Sequence, residues 1–424
     1  MAQRLYSAIL CISVLLLSAC TREAKDDSAA RKGTPGGEGV RVGVLLPLTG
    51  DTSVAGLKIQ RGYQLAAEEI NSLGGVTIEG RSVPLKLVFA DSEGKPEVGV
   101  SETERLIQSN NVAAIAGCYQ SNVAFPTTAT AEKYHTPYVV DNPIADKITE
   151  RGFKYTFRVT LKSSWMAKAQ IDFLKNMQKL RATPIRRVAL LYEDTLFGQS
   201  SAEGQRKYAN EAGYEVVADL SYAHSATDVS ATIARLKAAK PDVVIATSYT
   251  SDAILIGRTM KEQRFFPKLA LLGSTAGHQD PDFIASLGKD AENVLTTSFW
   301  NSDLRNGAAL RYYESYRKRF GEDPVPQCTN ARAALWVLRD ALNRAGTSDH
   351  EMLRKALAAT NLQAPQPPVD IMPFATIRFG EDGQNNAAQS IIMQVQSGKF
   401  VTVWPAQVAA AEIVWPGIPP TGIR

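Results

Sequence analysis

The chain has 424 residues, of which 44% are hydrophobic and 21% are charged, and its formal net charge is +4. This composition is ordinary for a globular protein, and no segment after the N-terminal region is apolar for long enough to predict a transmembrane helix. Basic residues are dispersed along the chain, so the sequence shows no patch of the kind that binds nucleic acid.

The first 20 residues predict an export signal. Arg4 precedes a short apolar run over residues 9–17, which is typical of a cleaved signal and too short to span a bilayer. The run ends in Leu-Ser-Ala-Cys20, which resembles a bacterial lipobox, in which the cysteine is lipidated and becomes the mature N-terminus. A free cysteine after an ordinary signal is the alternative. We favour lipidation of Cys20 because small residues directly precede it. Residues 21–39 are polar, contain Gly and Pro, and predict a flexible tether.

Two of the four cysteines remain once the signal is removed and Cys20 is lipidated, namely Cys118 and Cys328. An exported protein permits a disulfide between them, but sequence alone does not give the geometry that such a bond needs. We expect two separate buried thiols.

The folded part begins with a strand, a polar loop and an amphipathic helix. Residues 40–46 are almost continuously apolar, which favours a parallel strand that is buried on both faces. Apolar side chains then recur at helical spacing and Gly74 follows, a residue type that commonly ends a helix; these side chains are Ile59, Tyr63, Ala66, Ala67, Ile70 and Leu73. The loop over residues 47–56 therefore follows the carboxyl end of a strand, where open α/β sheets bind ligands.

The same alternation of strand and helix continues in two series. The first series has further strands near residues 85–90, 113–117 and 138–140, and the second has strands near residues 188–192, 216–222, 243–247 and 269–272. Short loops between alternating strands and helices are typical of doubly wound parallel sheets. Two similar lobes are favoured over a single sheet of more than ten strands.

No constellation of catalytic residues is present. The sequence lacks the glycine-rich nucleotide fingerprints and the metalloprotease motif His-Glu-x-x-His. Residues 273–277 have the glycine spacing of a nucleophile elbow, but Thr275 stands where that motif needs serine. The four histidines have no metal-ligand spacing. We therefore expect a protein that is not an enzyme and that carries no cofactor and no metal.

Residues 40–76 resemble type I periplasmic binding proteins, and among them the leucine/isoleucine/valine-binding group that serves ABC importers. The resemblance is carried by the Leu-Thr-Gly loop, by the helix pattern G-x2-L-A-x2-E-I-N and by the exit Gly-Gly-Val, and it extends more loosely to about residue 405. It implies an α/β fold of two doubly wound parallel-sheet lobes. These lobes would be joined by a three-strand hinge, with crossings near Thr160, Phe299 and Pro373.

The domain layout follows from this resemblance. We expect a lipoprotein signal peptide at 1–20, a tether at 21–39 and a C-terminal tail at 407–424. The first lobe is expected at 40–160 and 300–373, and the second lobe at 161–299 and 374–406.

The resemblance also implies a site that binds a carboxylate in the first lobe. Ser121 and Asn122 lie between a strand and the start of a helix, where backbone N–H groups and the helix dipole favour an anion. Ser121 matches the family serine that binds the ligand carboxylate, although a helix-capping serine is the alternative. Asn142, Pro143 and Ile144 match the second carboxylate-binding segment, where the family commonly has small residues and threonine.

In the second lobe, Phe197 matches a family aromatic that is often tyrosine, and Tyr249 matches a tyrosine that closes over the ligand. Ordinary core packing is the alternative for Tyr249. Thr275 stands where amino-acid binders supply a glutamate to the ligand ammonium, and a hydroxyl cannot balance a buried charge. Either another acid pairs with an ammonium group, or the ligand has none; the candidate acids are Asp194, Asp252 and Asp141.

We therefore expect a monomeric, extracytoplasmic solute-binding protein, in the periplasm or on the outer face of the cell envelope. Its expected partners are an amino acid or a similar small carboxylate, an ABC permease, and the membrane through a lipid on Cys20, with no nucleic acid. A ligand-sensing subunit of a membrane receptor is one alternative, and a receptor for urea, short amides or aromatic acids is another.

Overall fold

The computed structural model describes residues 39–304 and 307–420. The predicted signal peptide, Cys20 and nearly all of the predicted tether lie outside the described residues. Within those two ranges, no helix has both the length and the hydropathy that crossing a membrane requires.

The first lobe is built on a five-stranded parallel sheet. The strands are β1 Val40–Leu46, β4 Leu85–Asp91, β5 Ala114–Gly117, β6 Tyr138–Val140 and β7 Thr156–Arg158, in the order β4-β1-β5-β6-β7. A short hairpin of β2 Val76–Ile78 and β3 Arg81–Val83 lies outside this sheet. The connecting helices are α1 Ser53–Ser72, α2 Pro96–Gln108 and α3 Ser121–Lys133.

The second lobe is built on a seven-stranded mixed sheet. Its strands are β8 Arg187–Glu193, β9 Glu215–Tyr222, β10 Val243–Ser248, β11 Ala270–Ala276, β12 Leu295–Ser298, β15 Ile391–Gln396 and β16 Lys399–Trp404, in the order β16-β15-β12-β11-β10-β8-β9. Strands β8 to β12 pair in parallel, and β15 and β16 pair antiparallel. The helices are α4 Ser163–Arg181, α5 Leu196–Glu211, α6 Ser230–Ala238, α7 Thr250–Glu262 and α8 Pro281–Leu287. The predicted fold class is thus confirmed.

After β12 the chain returns to the first lobe through three helices, α9 Ala308–Phe320, α10 Gln327–Ala345 and α11 His350–Ala358. Helix α10 lies along α1 so closely that a Cβ atom on Gly62 would come within 2.8 Å of the Cβ atom of Cys328. Cys118 and Cys328 are both buried free thiols, as we expected. Most of the predicted apolar face of α1 is fully buried, but Leu73 lies just beyond the helix and is exposed.

The third crossing between the lobes lies later in the chain than we predicted. Strand β14 Thr376–Arg378 pairs with β13 Asn361–Gln363, and Gln384 forms a bridge to Arg158 at the end of β7. Residues 374–385, which we assigned to the second lobe, therefore pair with the first, and the crossing precedes β15 rather than lying near Pro373. A strand pattern in a sequence carries no information on which sheet the strand joins.

Candidate functional site

A small cavity lies where strand ends of the two sheets meet, and residues from both lobes line it. Its empty volume is about 270 Å³. The first lobe contributes residues that follow β5 and β6 and the start of α10. The second lobe contributes residues that follow β8, β10 and β12 and residues at the end of β11. The lining residues are Tyr119, Ser121, Asn142, Pro143, Ile144, Phe197, Tyr249, Thr275, Ala276, Phe299 and Gln327.

The structure brings together seven of the ten ligand-binding residues that we predicted. These are Ser121, Asn142, Pro143, Ile144, Phe197, Tyr249 and Thr275. Asn122, Asp194 and Asp252 are not among the residues that line the cavity. Contact of any of these residues with a ligand stays a prediction.

Four lining residues were not predicted as site residues. Tyr119 lies two positions before Ser121 in the same loop, so its place after a strand was an available signal. Ala276 follows Thr275 directly. Phe299 was named as a hinge position and not as a wall of the cavity. Gln327 begins α10 far along the chain, and no local pattern marks it as part of a site.

The first turn of α3 offers unpaired N–H groups to the cavity. Ser121 is the first residue of this helix, and the residue before it makes no side-chain cap. The first bond along the helix runs from the N–H of Ala124 to the carbonyl oxygen of Gln120, at 3.0 Å. In the described ranges no group accepts a hydrogen bond from the N–H of Ser121 or Asn122. Such N–H groups and the helix dipole favour a negative charge.

The side chain of Asn142 adds a donor at the same end of the cavity. Its Oδ1 accepts a hydrogen bond from Asn330 Nδ2 at 3.1 Å, which fixes the orientation of the amide. Its Nδ2 is buried and has no partner among the residues that the structure describes. Because buried donors are normally satisfied, this N–H group is available for a ligand acceptor.

Arg158 orients the backbone of the segment that lines the cavity next to Asn142. Its guanidinium donates to the carbonyl oxygens of Pro143 at 3.4 Å and Ala145 at 2.7 Å. The C=O and N–H groups of a trans peptide point in opposite directions, so the N–H of Ile144 is directed away from Arg158. No described group accepts a hydrogen bond from it. Burial lowers the pKa of Arg158 to about 10, and the guanidinium stays protonated at neutral pH.

Asp141 supports this segment from behind. Its carboxylate accepts hydrogen bonds from Tyr63 Oη at 2.7 Å and from the N–H of Asn142 at 2.7 Å. Burial raises the pKa of Asp141 to about 7, although these two donors oppose the shift. Asp141 faces α1 and does not line the cavity, so its effect is to hold Asn142 in place.

Aromatic rings from the two lobes pack against one another at the cavity. The ring of Tyr249, in the second lobe, lies with its centroid 5.5 Å from that of Tyr119, in the first, and 5.4 Å from that of Phe197. Burial raises the pKa of both tyrosines above the ordinary range. Both hydroxyls therefore remain protonated and can donate hydrogen bonds.

Asp194 and Asp252, two of the three candidate partners of a ligand ammonium, do not line the cavity. Asp194 is exposed and its Oδ1 accepts a hydrogen bond from the N–H of His224 at 2.9 Å. Asp252 is buried, and its Oδ2 lies 3.6 Å from Nδ1 of His224. Among the residues that line the cavity none is charged. Nor do the described ranges hold a group of three or more His, Cys, Asp and Glu side chains that could bind a metal ion.

Known proteins share this architecture and sequence pattern. The family described as periplasmic binding protein matches residues 39–399. A Leu/Ile/Val-binding protein homolog 7 of Brucella melitensis is 31% identical over 391 residues, which cover 90% of this chain and 95% of that protein.

Solved structures align over most of the chain. The leucine-binding protein LivK of Thermotoga maritima superposes with a TM-score of 0.75 at 23% identity, covering 86% of this chain and 98% of that chain. A solute-binding protein of an ABC transporter from R. palustris, in complex with benzoate, superposes with a TM-score of 0.75 at 22% identity, covering 88% of this chain and 98% of that chain. The chain therefore belongs to the periplasmic binding protein family and has the two-lobed fold of its type I members.

Proposed function

We propose that this chain is the solute-binding protein of an ABC importer, held at the membrane by a lipid on Cys20, and that it binds a small organic carboxylate between its lobes. One observation carries this proposal: a cavity lined from both lobes presents both unpaired N–H donors and aromatic rings. That arrangement matches a solute with one charged end and an apolar body.

The size of the cavity favours a small solute. Its empty volume is about 270 Å³ including space open to solvent, which leaves room only for a small molecule. A carboxylate at the first turn of α3 would accept hydrogen bonds from the hydroxyl and the N–H of Ser121, from Asn142 Nδ2 and from the N–H of Ile144. The apolar part would pack against Tyr119, Phe197 and Tyr249.

Binding would be coupled to closure of the lobes. A ligand that contacts both lobes favours the closed conformation by the extra contacts that it makes there. The three crossing segments act as the hinge, because a few residues between lobes can absorb the change in backbone angles. The closed lobes also contact one another directly, since Lys58 Nζ in α1 lies 3.1 Å from Asp280 Oδ1 beside α8.

Transport rather than sensing is proposed because of the relatives. The R. palustris neighbour is described as the solute-binding protein of an ABC transporter. A permease is then the expected membrane partner, and family membership implies an extracytoplasmic location. Loss of uptake of the solute in a strain that lacks this chain would support transport. Intact uptake with loss of a solute-dependent response would support a sensing subunit instead.

A thermal-shift screen of small metabolites tests the binding site. A solute that binds only the folded state raises the unfolding temperature, and the shift grows with the ratio of its concentration to its dissociation constant. Ser121→Ala should reduce that shift, whereas Ser101→Ala, an exposed serine in α2, should leave it unchanged. Equal shifts in wild type and Ser121→Ala would place the site elsewhere.

A further inference from the structure

We propose that the solute carries a carboxylate but no ammonium group, and that any second polar group on it is a neutral hydrogen-bond donor such as a hydroxyl. This inference rests on the proposed function and names the charge class of the solute. It excludes free amino acids, for which a carboxylate beside the ligand ammonium would be required.

The acids closest to the lining residues have their oxygens occupied by the protein. Asp141 accepts hydrogen bonds from Tyr63 and Asn142, as described above. Glu193, at the end of β8, accepts from the N–H of Thr195 at 2.6 Å and from the N–H of Gly198 at 2.6 Å. Neither carboxylate lines the cavity, so neither faces a solute bound there.

Three further acids, Asp280, Asp252 and Asp194, also do not line the cavity. Asp280 accepts hydrogen bonds from Lys58 Nζ at 3.1 Å and from Thr250 Oγ1 at 3.2 Å. Asp252 lies beside His224, and the exposed carboxylate of Asp194 accepts from the backbone of that histidine. An ammonium group in the cavity would therefore find no carboxylate among the residues that line it.

Thr275 lines the cavity from the second lobe. Its side chain is a neutral hydroxyl, which cannot pair with an ammonium group of a solute as a carboxylate would. A buried charge without a partner is strongly unfavourable, because the lost hydration is not replaced. A zwitterion would incur that cost at its ammonium end, whereas an acid without the amine would not. Because the cavity has no counter-charge, it binds a solute with an ammonium group less well than the same solute without it.

Gln327 indicates what the second polar group of the solute can be. Its Oε1 is buried, lies at the cavity and has no hydrogen-bond partner among the described residues. This oxygen is a neutral acceptor, and its complement is a neutral donor. A hydroxyl on the solute would satisfy it without introducing a charge. A carboxylate at α3 with a hydroxyl near Gln327 describes a small hydroxy acid, and the same acid without the hydroxyl remains compatible.

The inference is tested with solutes that share one skeleton and differ in charge. Isothermal titration of the wild-type protein would compare leucine, 4-methylpentanoate, 2-hydroxy-4-methylpentanoate and 4-methylpentanamide, and then phenylalanine with 3-phenylpropanoate. We expect at least one acid to bind tenfold or more tightly than its amino acid, and the neutral amide to bind more weakly than the acid.

The outcomes separate this inference from the proposed function. If leucine or phenylalanine binds at least as tightly as its acid, the exclusion of the amine is wrong, but the proposed function as a solute-binding protein is unaffected. Such a result would place the ammonium against the faces of the aromatic rings. Equal binding of amide and acid would overturn the carboxylate. Binding of none of the six compounds would count against the carboxylate in the proposed function as well.

A pair of variants tests the physical cause. Thr275→Glu introduces a carboxylate at the wall, and Thr275→Gln introduces the same bulk without the charge. We expect Thr275→Glu to raise the affinity for leucine relative to that for 4-methylpentanoate by tenfold or more. Thr275→Gln should still bind the acid more tightly than leucine, even if both affinities change. An unchanged ratio in a folded Thr275→Glu protein would show that the lack of a carboxylate in the cavity does not cause the preference for the acid. If that variant does not fold, the titrations of the wild-type protein alone test whether the amine is excluded.

Discussion

Asp51 and His224 meet across the cleft, with Asp51 Oδ2 of the first lobe 3.0 Å from His224 Nε2 of the second. Ser225 Oγ donates a hydrogen bond to the same carboxylate oxygen. On its other side the imidazole faces Asp252, and its ring packs edge-on against Tyr249, with centroids 5.1 Å apart. Closure of the lobes therefore places a histidine between two carboxylates, next to a residue that lines the cavity.

This contact predicts that binding weakens as the pH rises. Burial lowers the pKa of His224, but the hydrogen bond and charge of Asp252 and the charges of Asp51 and Glu193 outweigh it, so the pKa is raised above its ordinary value of 6.5. Opening removes Asp51 from the imidazole, so the closed state binds the proton more tightly than the open state. The stabilising effect of the protonated histidine is complete below the pKa of the open state and is lost as the pH rises through the higher pKa of the closed state.

Titrations of one solute at several pH values check this prediction. His224→Gln should give an affinity that varies little with pH, whereas His135→Gln, at the C-terminal end of α3, should keep the wild-type dependence. A wild-type affinity that is constant from pH 6 to pH 9 would show that the contact between Asp51 and His224 does not contribute to closure.

A second contact between the lobes predicts a loss of affinity when it is broken. Lys58 is buried and its Nζ lies 3.1 Å from Asp280 Oδ1 and 2.9 Å from Asp282 Oδ2. Lys58→Met leaves the buried Asp280 without its cation in the closed state, and removal of one partner of a buried pair is strongly destabilising. We expect the dissociation constant to rise about tenfold or more, which corresponds to ~1.4 kcal/mol.

Two further variants separate closure from general damage. In the double variant Lys58→Met with Asp280→Asn the uncompensated charge is gone, so part of the affinity should return. Arg319→Met removes a surface pair with Glu68 inside the first lobe, where both side chains are about half exposed, and should leave affinity unchanged. No loss of affinity in Lys58→Met would contradict a role for this pair in the closed state.

The order of strands and helices was readable from the sequence because buried parallel strands and amphipathic helices leave strong periodic patterns. The sequence did not show which lobe residues 374–385 belong to, because the sheet that a short strand joins depends on contacts with residues distant in the chain. Most of the cavity followed from strand ends that carry polar or aromatic residues, such as Ser121 and Tyr249. Gln327 reaches the cavity only because α10 returns to the first lobe.

The charges around the cavity were the least predictable part. Asp194 and Asp252 do follow strands of the second lobe, as the sequence indicated. A position after a strand does not determine whether a carboxylate turns into the cavity or toward a neighbour such as His224. That choice depends on which partners the folded chain supplies, and it required the structure.

The anchor prediction concerns Cys20 and is independent of the cavity. Cys20→Ser should release the protein from the membrane fraction while solute affinity stays unchanged, because the polar tether separates the lipid from the lobes. Several acyl chains hold a protein firmly at a membrane, and the serine variant would lack the acyl chains that Cys20 carries. Fractionation with affinity measurement checks both parts, and a serine variant that stays with the membranes would contradict lipidation.

The central claim is that one solute binds between the lobes and closes them. Small-angle scattering of the wild-type protein and Tyr249→Ala, with and without a solute from the thermal-shift screen, tests it most directly, with affinity measured alongside. We expect the solute to reduce the radius of gyration of the wild type, and Tyr249→Ala to lower both affinity and that change. Ser121→Ala should weaken affinity by roughly 1–3 kcal/mol, since an oxygen of the buried carboxylate loses its donor. A solute that binds the wild type and both variants equally, with no change in radius of gyration, would contradict the account.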